Sequence, residues 1–169
     1  MLVCYSNMTN PNQLFKSISS KLNQSQKHFD CLKIRQSNTT QDFVLDDNSF
    51  YDISFDNFIG ENIKFIHHNA FGGTSKAIKK FILRNDYVNH QPPEYDVWKL
   101  FNELVNVERI NVHLNINQIP SNAFNQTNLQ TIIIHTTNKI ILKKHTLYSL
   151  DNLNEFNFES IDSFIPIKD

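Results

Sequence analysis

The chain has 169 residues and a mass of 19.8 kDa, which suits one compact domain or a short repeat array. Leu, Ile, Val and Phe number 54, well above the range of disordered chains, and the net charge of −1 lacks the basic excess of a general nucleic-acid binder. Three glycines without a Gly-Lys-Ser/Thr exclude a phosphate loop, two cysteines argue against a disulfide-rich or zinc scaffold, and no apolar run is long enough to span a membrane.

In chain order, Met1 to Ser6 has neither the basic flank nor the long apolar stretch of a signal peptide. After Asn10-Pro11, the apolar residues Leu14, Phe15, Ile18 and Leu22 follow helical spacing. Residues 1–28 therefore read as a cap segment whose helix covers the edge of the first strand, as repeat arrays require. Cys4 and Cys31 have two open readings, a single bridge that staples this cap or two free buried thiols.

From residue 29 onward the chain repeats. The pattern apolar-x-x-apolar-x-apolar occurs at Phe29-Leu32-Ile34, Phe50-Ile53-Phe55, Ile78-Phe81-Leu83, Val107-Ile110-Val112, Leu129-Ile132-Ile134 and Leu153-Phe156-Phe158. Its starts, near 29, 50, 78, 107, 129 and 153, keep to the 20–29 residue period of leucine-rich repeats, whose template opens in the same way. The fold class read from this is α/β: a leucine-rich repeat solenoid over residues 29–169, with about six parallel concave strands and convex helices or turns. Two units share a return motif, Ile63-x-x-Ile66-x-x-x-Ala70-Phe71 and Ile116-x-x-Ile119-x-x-x-Ala123-Phe124.

One long unit carries a helical pattern. Val97, Leu100, Phe101 and Leu104 recur at helical spacing behind Pro92-Pro93 and the acidic Glu94 and Asp96, and Trp98 reads as convex-side packing. At the C-terminus, Ile161, Phe164, Ile165 and Ile167 read as the return half of a sixth, incomplete unit with an open apolar end.

Residues between the inward apolar positions should line the concave face. Three rows follow: Cys31, Asp52, Lys80, Arg109, Thr131, Glu155; then Lys33, Ser54, Ile82, Asn111, Ile133, Asn157; then Arg35, Asp56, Arg84, His113, His135, Glu159. Lys80, Arg84, Arg109, His113 and His135 make a basic centre flanked by acids, with Asn111 beside it and Ile82 and Ile133 as its apolar part. Such a face suits a protein or acidic ligand through charge complementarity, although the same charges could simply pair across strands in solvent. His113 and His135 are lateral neighbours, yet only Glu159 could join them, so no metal site and no cofactor is expected. No nucleophile elbow, paired Cys/His or zinc-protease motif is present, and the chain reads as non-enzymatic.

The segments Ile66-His67-His68-Asn69-Ala70-Phe71-Gly72-Gly73-Thr74, Pro92-Pro93-Glu94-Tyr95-Asp96 and Ile119-Pro120-Ser121-Asn122-Ala123-Phe124 carry a resemblance. Over residues 29 to 164 the chain resembles secreted leucine-rich repeat proteins of mites, ticks and other arthropods, described as similar to the non-catalytic subunit of oplophorus-luciferin 2-monooxygenase. The resemblance implies an extracellular, non-catalytic companion protein. Four glycosylation sequons, at Asn7, Asn23, Asn38 and Asn125, are compatible with secretion, though about three are expected by chance in a chain this rich in Asn, Ser and Thr. The expected function is binding of a protein partner through the concave face, with no nucleic acid and no membrane span. The alternatives are assembly through the open C-terminal end, or service as accessory subunit of a secreted oxidase.

Overall fold

The computed structural model describes residues 2–6, 11–36, 43–88, 96–125, 128–136 and 138–160. Strands β1 (Leu2–Ser6), β2 (His28–Gln36), β4 (Ser54–Glu61), β6 (Lys80–Val88), β7 (Arg109–Asn115), β9 (Thr131–Thr136) and β11 (Glu155–Ser160) form one sheet in that spatial order. Every neighbouring pair is parallel. A parallel neighbour can be reached only by a crossover, and here each crossover is the remainder of one repeat. The chain is an α/β repeat solenoid of about five turns.

The crossovers carry their own order. Two-residue strands β3 (Val44–Leu45) and β5 (Phe65–Ile66) pair with each other, as do β8 (Gln118–Ile119) and β10 (Ile141–Leu142). Each opens a tight return turn with one design: an apolar residue, three intervening positions that are polar except for Pro120, a small buried residue, then a larger apolar one. The four instances are Leu45/Ser49/Phe50, Ile66/Ala70/Phe71, Ile119/Ala123/Phe124 and Leu142/Thr146/Leu147. Ser49, Ala70, Ala123 and Thr146 are buried, which explains their size. Just before the small residue, Asn48, Asn122 and His145 adopt positive φ, a conformation that Asn tolerates better than most residues.

This design corrects the second unit. Phe50 belongs to the return turn of the first unit, where it matches Phe71 and Phe124. The strand of the second unit is Phe55-x-x-Phe58-x-Gly60: Phe29 lies opposite Phe55, Leu32 opposite Phe58, and Phe58 opposite Phe81. The start therefore moves from 50 to 55, and Asp52, Ser54 and Asp56 leave the three face rows in favour of Asn57, Ile59 and Glu61. Phe50, Ile53 and Phe55 mimic the strand pattern because all three are buried, but they are buried in a turn and at the strand's entry.

The N-terminal segment also departs from expectation. Its helix, α1 (Pro11–Lys21), does form. The edge of β2, however, is covered by β1, with Leu2 opposite Leu32, so the sheet gains a seventh strand. Helix α1 lies against the first return turn instead. There Phe15 is fully buried with its ring centroid 4.9 Å from that of Phe50, and Ser49 Oγ donates to Asn12 Oδ1 over 2.6 Å. The same register places Cys31 three residues from Ile34, the partner of Cys4. That offset is about 10 Å along the strands, beyond the span of a disulfide, and Cys31 is a free thiol.

Between the sheet and the return turns runs a chain of aromatic rings. Phe15, Phe50, Phe71, Phe58, Phe81, Phe101 and Phe124 follow one another at centroid distances from 4.9 to 5.9 Å. Helix α2 (Val97–Glu103) supplies Phe101 in place of a return turn, and its Trp98 packs edge-on against Phe101 and Phe124. Trp98 is thus buried in the core, as its reading as packing rather than a binding anchor expects. Side-chain amides tie the turns together on one flank: Asn106 Nδ2 donates to the Lys76 carbonyl at 2.7 Å and Asn128 Nδ2 to that of Val105 at 3.4 Å. The open-ended C-terminal half-unit predicted from Ile161, Phe164, Ile165 and Ile167 lies outside the described residues.

Candidate binding face

Alternation along each strand sends one set of side chains into the aromatic core and the other onto the opposite face of the sheet. The observed register assembles that outer face as three rows. Cys31, Asn57, Lys80, Arg109, Thr131 and Glu155 form the first. Lys33, Ile59, Ile82, Asn111, Ile133 and Asn157 form the second. In the third, Arg35, Glu61 and Arg84 are consecutive partners, as are His113, His135 and Glu159. All eight residues expected to bind, Lys80, Ile82, Arg84, Arg109, Asn111, His113, Ile133 and His135, share this face.

Their availability differs. Arg84 and Arg109 are exposed, while Lys80, Asn111, His113 and His135 are half-buried. Ile82 and Ile133 are only 7% and 8% exposed and stand outside the main core cluster. They offer a partner little surface, so the face is chiefly polar and the expected apolar centre is mostly covered. Between β6 and β7 the register slips after Leu83, so that Tyr87, not Asn85, faces Leu114. This irregularity separates Arg84 from the histidine pair in the third row.

The electrostatic centre of the face is Glu61, a residue that the misplaced second strand had hidden. Its Oε1 lies 2.9 Å from Lys33 Nζ and 3.4 Å from Arg84 Nη1, and its Oε2 lies 3.4 Å from Arg35 Nε. The hydrogen bond from Lys33 holds its carboxyl below the usual value of 4.5, with the charges of Lys33, Arg35 and Arg84 adding to the effect against an opposing cost of burial. The return-turn design, repeated four times, was the signal that could have found it: once Phe50 is assigned to a turn, Glu61 falls into the row of Arg35 and Arg84.

Farther along the sheet, the rings of His113 and His135 lie 4.4 Å apart at 30°, and His135 Nδ1 approaches Glu159 Oε2 at 2.9 Å. Among the described residues no group of three His, Cys, Asp or Glu side chains is placed to hold a metal ion. The displaced acids have other roles. Asp52 accepts hydrogen bonds from Lys27 and from Ser19 of α1, which lower its pKa and tie the helix to the turn that leads into β4. Asp56 lies 3.6 Å from His28. Of the sequon asparagines, Asn23 is exposed and its Oδ1 accepts from Ser25 Oγ at 2.9 Å, whereas half-buried Asn125 accepts from Ser149 Oγ at 3.0 Å. Asn7 and Asn38 lie outside the described residues.

The chain matches no protein-family model, no curated protein and no solved structure. No helix among the described residues is long and apolar enough to cross a membrane.

Proposed function

We propose that the protein is a non-catalytic, protein-binding leucine-rich repeat module that works through the outer face of its sheet in an extracellular setting. The observation that carries the reading is the gathering of five cations on one face: Lys80, Arg84 and Arg109 on the adjacent strands β6 and β7, and Lys33 and Arg35 on β2, one strand away across β4. Strands about 4.8 Å apart present such groups side by side, and a surface of one dominant sign steers an acidic partner and sets its register more than it adds raw affinity. The inward hexapeptides and the period of the units support the repeat assignment. The exposed sequon at Asn23 is compatible with secretion.

The test is affinity capture from the source's extracellular fluid and, separately, from cell lysate. The baits are the wild-type chain and the Arg84→Glu/Arg109→Glu variant, with circular dichroism establishing that both are folded. A partner identified in the fluid and lost from the variant is the expected result. A partner held equally by both chains would overturn the outer face as the binding surface, and one found only in lysate would overturn the extracellular setting.

A further inference from the structure

We infer that Lys33, Arg35 and Arg84 form a docking site for a carboxylate-bearing segment of a partner protein, and that Glu61 is the internal occupant which the incoming carboxylate joins or displaces. The inference rests on the outer face being the binding surface, and it names the chemistry of what that surface receives.

The geometry is that of a cation cluster with charge to spare. Among the described residues three cations converge on one carboxylate, a formal excess of two positive charges. Glu61 is only 13% exposed, but the side chains of Arg35 and Arg84 are 56% and 57% exposed. Each guanidinium has five N–H donors, and each reaches Glu61 through a single nitrogen at 3.4 Å. Among the described residues Glu61 is the one acid paired with either guanidinium, and both side chains stay more than half exposed, on strands that flank Glu61 from either side. A planar two-oxygen group can accept from both guanidiniums at once, the arrangement in which charge-assisted hydrogen bonds are strongest.

Glu61 itself indicates the class of ligand. Its two oxygens divide the cations between them, Oε1 taking Lys33 and Arg84 and Oε2 taking Arg35. The spacing of the site is thus set to a planar carboxylate, and a Glu or Asp side chain of a partner supplies the same group. Because Glu61 neutralises part of the cluster, it competes with that ligand. Its removal therefore strengthens binding, whereas removal of a residue that only shaped the site would weaken it.

The experiment measures fluorescence anisotropy of a labelled hexaglutamate peptide titrated with the full chain, at about 20 mM salt where exposed charges are little screened. The wild type is expected to bind. Arg35→Glu is expected to weaken binding roughly tenfold or more, with Arg35→Gln between it and wild type, and Glu61→Gln to tighten it several-fold. Thermal melts accompany each variant, and the graded pair at Arg35 keeps the test valid if the charge reversal is unstable. Absence of peptide binding by wild type, equal binding by both Arg35 variants and wild type, or weaker binding by Glu61→Gln would each overturn the inference. Displacement of the peptide by inorganic phosphate or a sulfated oligosaccharide at matched charge would also overturn it, by moving the ligand away from carboxylates. The wider reading fails separately: peptide binding that depends on Arg35, together with partner capture unaffected by Arg84→Glu/Arg109→Glu, would retain this site and reject the face as the natural interface.

Discussion

Gly73 lets two neighbouring turns touch. A Cβ at this position would lie 2.5 Å from the carbonyl oxygen of Tyr51, and Tyr51 is itself held at a φ of 58°. A backbone oxygen in such a turn cannot swing aside as a side-chain tip can, so Gly73→Ala must push the turns apart. We expect a loss of about 1–3 kcal/mol, measured by urea denaturation, and no change in the register of the sheet. Glu61 makes a second prediction at this scale. Its folded pKa lies below 4.5, so its contribution to stability is present above the usual value and is lost as pH falls through the lower, folded one. Between pH 7 and pH 3 the wild type should therefore lose more stability than Glu61→Gln. The difference should not exceed about 1 kcal/mol, because two of the three partners are more than half exposed. Equal acid sensitivity of the two chains would show that the cluster adds nothing to folding.

Individual elements differ in how they could be recognised. Helix α2 was legible because its signals are local: Val97, Leu100 and Phe101 are buried at helical spacing, and Asp96 caps the helix by accepting from the Trp98 N–H at 2.9 Å. Asp96→Ala should cost about 1 kcal/mol, the usual value of an N-cap, and a melt unchanged from wild type would remove the cap from the account. Strand β4 was not legible in the same way. An apolar-x-x-apolar-x-apolar window fits residues 50 to 55, but the real strand pattern places Gly60 where the template expects a large residue. Gly stands there because a Cβ would meet Ile63 Cδ1 at 2.6 Å and Leu83 Cδ1 at 3.0 Å, in a layer already filled by phenylalanines. Ile63 of the same unit and Leu83 of the next strand decide that residue together, so the hexapeptide template misses it. Strand β1 escaped for a related reason: five residues carry no repeat signature, and only pairing with β2 makes them a strand.

At the scale of the whole molecule, stability should vary along the array, because each repeat contacts only its neighbours. Phe81 is fully buried between units, whereas Phe156, at the equivalent inward position of β11, is half-buried. Phe81→Ala should cost about 3–5 kcal/mol and Phe156→Ala clearly less, as compared by thermal or urea denaturation. Amide hydrogen exchange should show the same gradient, slowest in β6 and β7 and faster in β11, which pairs on one side only among the described residues. Uniform protection across all strands would point to a single cooperative unit.

The sequence by itself determined that this chain is a repeat, that its strands are parallel with return turns behind them, and that Lys80, Arg84, Arg109, Asn111, His113 and His135 would emerge on one face of the sheet. Period and alternation are local properties, and five true copies of one pattern, with a sixth misplaced by five residues, leave few other ways to bury them. Only the tertiary structure decided the register of the second unit, the seventh strand, the covering of Ile82 and Ile133, and the presence of Glu61 among three cations. Each of these depends on which side chains meet across adjacent turns, a spatial fact that a linear pattern encodes only after every turn has been assigned its place.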